Sequence, residues 1–387
     1  MSHDGAADPE ISVVMPCLNE EAAIGACIEK IRRTFVQAGL HGEIVVCDNG
    51  STDRSVAIAQ AMGARVVHQP LRGYGNAYLK GFDSARGRYL VMGDADDTYD
   101  FTMIPEFLKS LRADDNAFVT GSRYLGGGDR HITALHRWFG NPALTRILNT
   151  LFGTRYTDVY CGFRAFSRAA YHRIRPLSPG MEFNLELAIN AQLAGLRTVE
   201  IPIVLGERKG ASKLRTFRDG WRSLRMMLLY SPNKLFLIPG GVLFALGIMI
   251  HLAVLFGLVH FGGRPAAGVT SVFATIFSAV GFQILSLGLH AKTYSWSRRF
   301  DPHNRALTRF YGRFKLEAGL LLGAGLGLAG FGILGALVVQ WLRSDLLPLP
   351  HPEWASFGAT LVILGCSTLF SSLFISAMSM SRSEEVV

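Results

Sequence analysis

Charged side chains are scarce in this sequence: Asp, Glu, Lys and Arg together make up 18% of the residues, against 49% hydrophobic residues. This composition excludes an intrinsically disordered chain, which would be polar and highly charged. Four stretches, 235–263, 265–291, 318–342 and 354–381, contain no charged side chain at all. Each exceeds the roughly 20 apolar residues that a helix needs to cross a bilayer. The sequence therefore predicts a membrane protein with four transmembrane helices.

Several common signatures are also missing. The five cysteines are odd in number and show no C-x-x-C spacing, so neither a disulfide framework nor a zinc site is expected. Residues 1–10 are polar and acidic without an apolar core, which predicts no cleavable signal peptide. The absence of G-x-G-x-x-G and of G-x-x-x-x-G-K-[ST] argues against a dinucleotide oxidoreductase and a P-loop enzyme.

The net charge of +9 belongs to two short segments. Residues 207–234 and 292–315 carry 15 of the 39 Lys and Arg residues with only 3 acids, so the remaining chain is slightly acidic. Nucleic acid is therefore not an expected partner. The sequence therefore predicts an integral protein of the inner (plasma) membrane. The positive-inside rule places both basic segments, and hence both termini and the catalytic domain, on the cytoplasmic side. Thr216 to Tyr230 has the spacing of an amphipathic helix on the membrane surface.

Residues 11–206 alternate between short apolar runs and helical periodicity. Strands are predicted at Ile11–Pro16, Glu43–Cys47, Ala64–His68 and Arg88–Met92, with helices at Glu20–Ala38, Asp53–Met62 and Gly75–Ala85. This pattern predicts an α/β fold with a mostly parallel sheet, followed by an all-α membrane domain. We expect three regions: 1–206, a basic juxtamembrane segment 207–234, and 235–381, with spans at about 235–261, 267–291, 318–342 and 355–380.

Polar and acidic clusters follow three of the predicted strands. They are P-C-L-N-E from Pro16, D-N-G-S-T-D from Asp48, and G-D-A-D-D from Gly93. Carboxylates that converge at one sheet edge can grip ribose hydroxyls or hold a hard cation such as Mg²⁺ or Mn²⁺. Asp94 and Asp96 are two residues apart, so both side chains point the same way on an extended segment. For Ser51 and Asp53, a helix cap is an equal alternative.

The order of these clusters resembles family 2 inverting glycosyltransferases with the GT-A fold. Within them the sequence is similar to the polyprenyl-phosphate group that includes dolichyl-phosphate mannose and glucose synthases. The resemblance covers residues 11–230. It rests on Pro16–Glu21, Cys47–Asp53, Arg72–Ala77, Asp94–Asp97, Gly121–Tyr124, Asp158–Arg164, Phe183–Leu187 and Glu207–Leu214. The last stretch, E-R-x-G-x-S-K-L, is the most diagnostic of the lipid-phosphate branch.

The resemblance implies a role for each matching position. Residues implied to contact the nucleotide sugar are Pro16, Asn19, Glu20, Asp48, Ser51, Arg72, Gly73 and Asp94. Residues implied to be catalytic are Asp94, Asp96, Arg123 and Glu186, of which Asp94 and Asp96 would hold the metal and Glu186 would face the sugar. Residues implied to bind the phosphates of the lipid acceptor are Arg123, Arg208, Ser212 and Lys213. For Arg208 and Lys213, attraction to anionic lipid remains an alternative.

One position departs from the mannose-type pattern. Those members often have Gln two residues after D-A-D, where this sequence has Thr98. The departure favours a UDP-hexose donor, glucose first, with GDP-mannose second. The Q-x-x-R-W signature of processive polysaccharide synthases is absent, which favours a single transfer.

Elementary chemistry agrees with a lipid phosphate acceptor. A leaving nucleoside diphosphate accumulates negative charge that a metal ion neutralises. A lipid monophosphate is already anionic at pH 7 and needs no general base, whereas a hydroxyl acceptor needs one. Two anionic groups must be held together, which requires cations such as the arginine fork.

Two other hypotheses stay open at this point. The acceptor could be a hydroxyl lipid or a lipid-linked glycan, with Glu186, Asp96 or Asp97 as the base. The chain could instead be a non-catalytic nucleotide-binding scaffold or a small transporter, although the spans offer no charged path across the bilayer. We also expect the last two spans to pack against the first two and to assist formation of a homo-oligomer.

Overall fold

The structure is a computed structural model that forms two compact units, Met1–Met227 and Leu228–Val387. It describes residues 8–126, 141–206, 216–231, 233–261, 264–265, 268–297, 316–346 and 351–380.

The first unit is built on a seven-stranded sheet. Its strands are β1 (Ile11–Cys17), β2 (Gly42–Asp48), β3 (Arg65–His68), β4 (Tyr89–Met92), β5 (Ala117–Ser122), β6 (Arg164–Ser167) and β7 (Arg197–Pro202). Their spatial order is β3-β2-β1-β4-β6-β5-β7. All neighbours pair in parallel except β6, which runs antiparallel to both β4 and β5. The predicted mostly parallel α/β sheet is thus confirmed.

Helices connect and flank these strands. They are α1 (Ile24–Ala38), α2 (Ser55–Ala61), α3 (Tyr74–Ser84), α4 (Ile104–Ala113), α5 (Asn141–Phe152), α6 (Arg168–Ile174), α7 (Phe183–Leu193) and α8 (Thr216–Tyr230). The face of α1 that carries Ile24, Cys27, Ile28 and Ile31 is buried, as its apolar spacing predicts. Helix α1 ends where Gly39 adopts φ 61°, a conformation that glycine takes without strain.

Two helices begin later than the sequence predicts. Helix α1 starts at Ile24, not at Glu20, because Asn19 takes φ 54° and the chain turns there before it coils. Helix α2 starts at Ser55, since Asp53 accepts hydrogen bonds from the amide and the hydroxyl of Ser55. The residue at the cap position of α2 is Arg54, whose side chain makes no capping hydrogen bond.

A fully buried arginine, Arg164 at the start of β6, organises the core behind the sheet. Its guanidinium donates to the carbonyls of Cys161 at 2.8 Å, of Val159 at 2.5 Å, and of Asn184. Its charged group also lies 5.5 Å from the ring centre of Phe118. Burial lowers the pKa of Arg164. Arg164 therefore ties the segment before β6 to the first turn of α7.

The second unit contains four long apolar helices. They are α9 (Ile238–Leu255), α10 (Val269–Ser297), α11 (Leu316–Arg343) and α12 (Glu353–Met380). A π-helical turn, Asn233–Leu237, precedes α9, and the segments long and apolar enough to span a membrane are Lys234–Leu255, Val269–Thr293, Leu316–Arg343 and Glu353–Met378. The first of these segments ends at Leu255, whereas the sequence predicts a span to about residue 261. His260–Phe261 pairs instead with Arg264–Pro265 in a short antiparallel hairpin.

Small residues bring these helices into close contact. A Cβ added at Gly323 or Gly330 of α11 would lie 2.9 Å or 2.6 Å from a carbonyl oxygen of α12. Helix α12 also contacts α10, where Gln283 donates to the hydroxyl of Ser367 at 3.3 Å. The last span thus packs against the first two, and α11 packs on α12. Backbone proximity, which glycine permits, supplies the van der Waals contact that holds membrane helices together.

Replacing Arg164 should destabilise the first unit more than replacing any exposed arginine. The change Arg164→Ala removes the arginine donor from three buried carbonyls, which we expect to lower the free energy of unfolding by about 3 kcal/mol or more. Hydrogen–deuterium exchange of the detergent-solubilised full chain during urea titration should show early opening of β6 and α7. The matched control is Arg197→Ala, because Arg197 pairs with Asp114 at the surface and should leave the opening midpoint nearly unchanged. Equal midpoints for both variants would contradict this role of Arg164.

Candidate active site

The carboxyl ends of β1, β2 and β3 lie side by side, with Cys17 paired to Asp48 and Asp48 paired to His68. Asp48 is buried, and its Oδ1 accepts from the Ser51 amide at 2.9 Å while its Oδ2 accepts from the Gly50 amide at 3.2 Å. His68 Nδ1 lies 3.2 Å from the same Oδ2. Burial raises the pKa of Asp48, but these hydrogen bonds outweigh it and lower the pKa below its usual value. Asp48 is therefore a fixed negative charge at this edge.

The loops after β1 and β2 are locked together by their own side chains. The Asn19 amide donates to Ser51 Oγ at 3.0 Å, and Asn19 Oδ1 accepts from the Thr52 amide at 2.8 Å. The Glu20 amide donates to Ser55 Oγ at 2.8 Å. Asn19 and Ser51, both predicted to bind the nucleotide sugar, thus also hold the two loops in one conformation. Pro16 lies half-buried in β1 just before them.

Arg72 and Gly73 border the same edge. A Cβ added at Gly50 would lie 3.3 Å from the guanidinium of Arg72, so the exposed Arg72 side chain lies beside the Asp48 loop. The Gly73 amide donates to Asn49 Oδ1 at 2.8 Å. The start of α3 is therefore fastened to the loop that follows β2.

Two glycines of this stretch are required by a close approach. A Cβ at Gly73 would lie 2.2 Å from the Pro179 carbonyl oxygen, and a Cβ at Gly75 would lie 2.0 Å from the Ser178 carbonyl oxygen. Gly73 also adopts φ 144°, which disfavours any other residue. The Asn76 amide donates to the Pro179 carbonyl at 3.2 Å. The loop 177–180 therefore packs directly on the first turn of α3.

Glu186 of α7 holds that loop in place. Its side chain is 1% exposed, and Oε2 accepts from the amides of Leu177 at 2.9 Å and Ser178 at 2.7 Å. These contacts differ from the sugar-facing role that the resemblance implies. They fit a residue that positions the loop 177–180.

Asp94, directly after β4, accepts hydrogen bonds from two tyrosines of α3. Its Oδ1 accepts from the hydroxyls of Tyr74 at 2.9 Å and Tyr78 at 3.1 Å. Burial raises the pKa of both tyrosines well above the usual value, and the charge of Asp94 raises it further, so both phenols remain donors. Asn184 of α7 donates from Nδ2 to the Tyr74 oxygen at 3.3 Å. Helices α3 and α7 therefore both orient Asp94.

The two acids that follow have different environments. Asp96 is buried, and its Oδ1 accepts from the hydroxyl of Thr98 at 2.6 Å and from the Thr98 amide at 3.2 Å. Asp97 adopts φ 64° and forms an ion pair with Lys30 of α1 at 2.6 Å. Asp97 is thus a structural residue that anchors this turn to α1.

The acid pair fits a magnesium ion that is shared with a substrate. The described residues contain no group of three or more His, Cys, Asp or Glu side chains that could enclose a metal ion. Mg²⁺ usually needs only one or two protein carboxylates, with the remaining ligands supplied by waters and substrate phosphates. Asp94 and Asp96 would supply two such carboxylates.

Arg123, after β5, is paired with a buried acid. Its Nε and Nη2 donate to the two oxygens of Asp158 at 2.5 Å and 2.8 Å, and Asp158 is inaccessible to solvent. Burial alone would lower the pKa of Arg123, but Asp158 raises it. The two bonds to Asp158 hold the Arg123 guanidinium in one orientation.

The basic stretch that was predicted to bind the acceptor, with Arg208, Ser212 and Lys213, lies outside the described residues. The last residue described before it is Gly206. The Gly206 amide donates to the Thr98 carbonyl at 2.8 Å. The chain therefore leaves the first sheet beside the turn that carries Asp96.

Sequence reasoning gave no individual role to several residues at this edge, although Tyr74 lies within Arg72–Ala77, which the resemblance implies as the lining of the nucleotide pocket. They are His68, Tyr74, Tyr78, Thr98 as a partner of Asp96, Asp158 and Asn184. The spacing of Tyr74 and Tyr78 on one helix face, four residues apart, is a local signal that could have suggested a shared target. No local pattern links Asn184 to Tyr74, which is 110 residues away.

A Cβ at Gly75 should disturb both the fold and the site. Gly75→Ala forces the Ser178 carbonyl to move, which we expect to cost about 1–3 kcal/mol of stability and to weaken nucleoside diphosphate binding. Gly25→Ala in α1 is the matched control, because its Cβ would meet Ile58 and Met62 at an ordinary 3.5 Å. That change should be neutral or stabilising by up to about 1 kcal/mol. Thermal unfolding and calorimetric titration with UDP and GDP measure both effects, and wild-type values for Gly75→Ala would refute the packing argument.

Comparison with known families gives two matches. Residues 12–175 match "Glycosyl transferase family 2", and residues 289–379 match "Glycosyltransferase family 2 C-terminal transmembrane region".

Curated relatives and a solved structure add to these matches. The low-salt glycan biosynthesis hexosyltransferase Agl6 of Haloferax volcanii is 35% identical over 98% of this chain and 91% of its own length. The dolichyl-phosphate hexose transferase of the same organism is 36% identical over 54% of this chain and 89% of its own. An undecaprenyl-phosphate 4-deoxy-4-formamido-L-arabinose transferase of Klebsiella pneumoniae is 29% identical over 72% and 86%. Glucosyl-3-phosphoglycerate synthase of Mycobacterium tuberculosis, solved with Mg²⁺ and UDP, has a TM-score of 0.46 at 24% identity and covers 57% of this chain and 78% of its own.

Proposed function

The chain belongs to glycosyltransferase family 2, and we propose that it transfers one hexose, with inversion, from a nucleotide diphosphate sugar to a polyprenyl phosphate lipid at the cytoplasmic membrane face. The names of its relatives support the hexose and the polyprenyl phosphate. The four apolar helices support a membrane location. The basic segments at 207–234 and 292–315 support the cytoplasmic orientation.

The choice of a phosphate acceptor is supported by one observation: the acids that could act as a general base already have other partners. A hydroxyl acceptor needs a general base, and Glu186, Asp96 and Asp97 were the candidates. Asp97 is paired with Lys30, and Glu186 accepts from two backbone amides. Asp96 is needed for the metal. A phosphate acceptor, which is anionic from the outset, requires none of these residues as a base.

The site can divide the donor between its two ends. Asp48, with Arg72 beside it, would hold the nucleoside, and the Asp94–Asp96 pair would lie at the diphosphate. A bound Mg²⁺ or Mn²⁺ would supply charge neutralisation of the departing diphosphate. Tyr74, Tyr78 and Thr98 keep the two carboxylates oriented towards that position.

Basic side chains would bind the phosphate of the acceptor lipid. The basic stretch with Arg208, Ser212 and Lys213 follows Gly206, which is bonded to Thr98. We infer that these residues bind the phosphate of the acceptor. Arg123, held by Asp158, would contribute its remaining donors to the same phosphate. The preferred donor is a UDP-hexose, with UDP-glucose as the first candidate and GDP-mannose as the second. The reason is Thr98, which donates to Asp96 and stands at the position where mannose-type members often have Gln.

Removing either carboxylate charge should abolish transfer. Asp94→Asn and Asp96→Asn should each reduce turnover by about 100-fold or more, because the diphosphate charge is then poorly neutralised. The assay measures release of nucleoside diphosphate by the full chain in detergent with Mg²⁺, polyprenyl phosphate, and either UDP-glucose or GDP-mannose. Asp100→Asn is the matched control: Asp100 is exposed, caps the turn after this loop and should retain wild-type turnover. Wild-type turnover in Asp94→Asn or Asp96→Asn would refute the site.

The acceptor should reveal itself in a pH profile. Turnover with polyprenyl phosphate should fall below about pH 6, where the dianionic phosphate monoester takes up a proton and becomes a monoanion. Asp48 has a lowered pKa, so it stays ionised through this range and should not itself change the affinity for the nucleotide sugar between about pH 5 and 8. Free polyprenol, tested in parallel, should give no product. Equal turnover with the alcohol would overturn the phosphate acceptor and favour the hydroxyl-lipid hypothesis.

A further inference from the structure

Two buried acceptor atoms at the start of α7 lack hydrogen-bond partners within the described ranges of the chain. They are Asn184 Oδ1 and Glu182 Oε2. Asn184 as a whole is 5% exposed. A buried acceptor without a donor costs about 1–3 kcal/mol, so native proteins keep few of them. These two lie within three residues of each other, and Asn184 is joined through Tyr74 to Asp94, which makes them candidates for contact with a ligand.

The hydrogen-bond geometry fixes which way the Asn184 amide points. The single hydroxyl proton of Tyr74 is donated to Asp94 at 2.9 Å. The Tyr74 oxygen can therefore only accept from Asn184, so Nδ2 faces Tyr74 at 3.3 Å and Oδ1 points away from it. The amide cannot turn over without placing two acceptors against each other.

Asn184 lies near Asp94, and Glu182 lies beside the loop 177–180. The Asn184 amide is one hydroxyl group away from Asp94. The Glu182 carboxylate folds back over Gly180, where an added Cβ would lie 2.5 Å from Oε2. The loop that contains Gly180 packs on the first turn of α3. The backbone carbonyl of Asn184 accepts a hydrogen bond from Arg164.

The chemistry of the two atoms limits what they can bind. Both are acceptors, so they need donors, and a nucleoside diphosphate carries only acceptors on its phosphates. The nucleobase belongs to the other end of the site, at Asp48. Ring hydroxyls of a hexose are donors of the right kind and lie next to the diphosphate in a nucleotide sugar.

We propose that Asn184 Oδ1 accepts a hydrogen bond from one ring hydroxyl of the donor hexose and that Glu182 Oε2 accepts from a second. This inference rests on the proposed function and assigns its sugar subsite. It makes Asn184 and Glu182 specificity-determining residues. An analogue without the matching hydroxyl should bind poorly, because a buried acceptor is then left unpaired.

The test separates sugar binding from nucleotide binding. Calorimetry on the full chain in detergent with Mg²⁺ gives Kd values for UDP-glucose and UDP, and for GDP-mannose and GDP. Asn184→Ala and Glu182→Ala should each weaken binding of the preferred nucleotide sugar about tenfold or more, and leave the matching diphosphate within about twofold. An equal loss for sugar and diphosphate, or no loss for either, would overturn the assignment.

Asn190→Ala supplies the matched control. Asn190 lies on the same helix and also has a buried Oδ1 without a partner in the described structure, but its Nδ2 donates to the Ile174 carbonyl, away from Asp94. This change should leave the ratio of the two Kd values at the wild-type level. If Asn190→Ala shifts the ratio as much as Asn184→Ala, the effect belongs to helix stability and the assignment fails.

Deoxy analogues of the preferred donor identify the contact. The wild-type chain should lose about tenfold in affinity for at least one monodeoxy analogue, and Asn184→Ala should bind that analogue and the parent sugar alike. Unchanged discrimination in the variant would contradict the proposal. A wild-type chain that binds the nucleotide sugar in this way but transfers nothing to polyprenyl phosphate would refute the proposed acceptor and leave the sugar subsite standing.

Discussion

The buried guanidinium of Arg164 is the interaction on which the active edge of the sheet depends. It connects the carbonyls of Val159 and Cys161 to that of Asn184. The first two lie just beyond Asp158, the partner of Arg123, and the third lies on the residue that supports Tyr74. A neutral side chain in this position could not supply several donors in one plane, which is a property of arginine alone. A cation placed among carbonyls thus joins the segment before β6 to the first turn of α7.

The acids of the D-A-D-D turn illustrate how one short motif serves several purposes. Asp94 is oriented by two tyrosines, Asp96 by Thr98, and Asp97 by Lys30. Each carboxylate is fixed before any substrate arrives. A preorganised site of this kind does not have to reorganise its dipoles during the reaction, which is the main source of electrostatic catalysis.

The sequence allowed the first four strands, the mostly parallel sheet and the positions of the acidic loops to be predicted, because these depend on local periodicity and on the order of motifs. It did not predict β5, β6 and β7, of which β6 runs antiparallel to its neighbours. The start of α2 could not be predicted, since Asp53 binds Ser55 and delays the helix. The end of the first span was wrong for a similar reason, because an apolar run does not reveal that His260 pairs with Pro265 in a hairpin. The partners of Asp94 and Glu186 come from distant or irregular segments, and only tertiary packing brings them together.

The two tyrosines on Asp94 have a geometric consequence for any ligand of that acid. A carboxylate oxygen has two lone pairs, and both lone pairs of Oδ1 already receive a hydroxyl proton. Asp94 can therefore offer a ligand only its second oxygen, Oδ2, and cannot grip a cation or a diol with both oxygens at once. A contact through one oxygen fixes the distance between Asp94 and the ligand. The orientation of the ligand is then set by Asp96 and by the residues of α7.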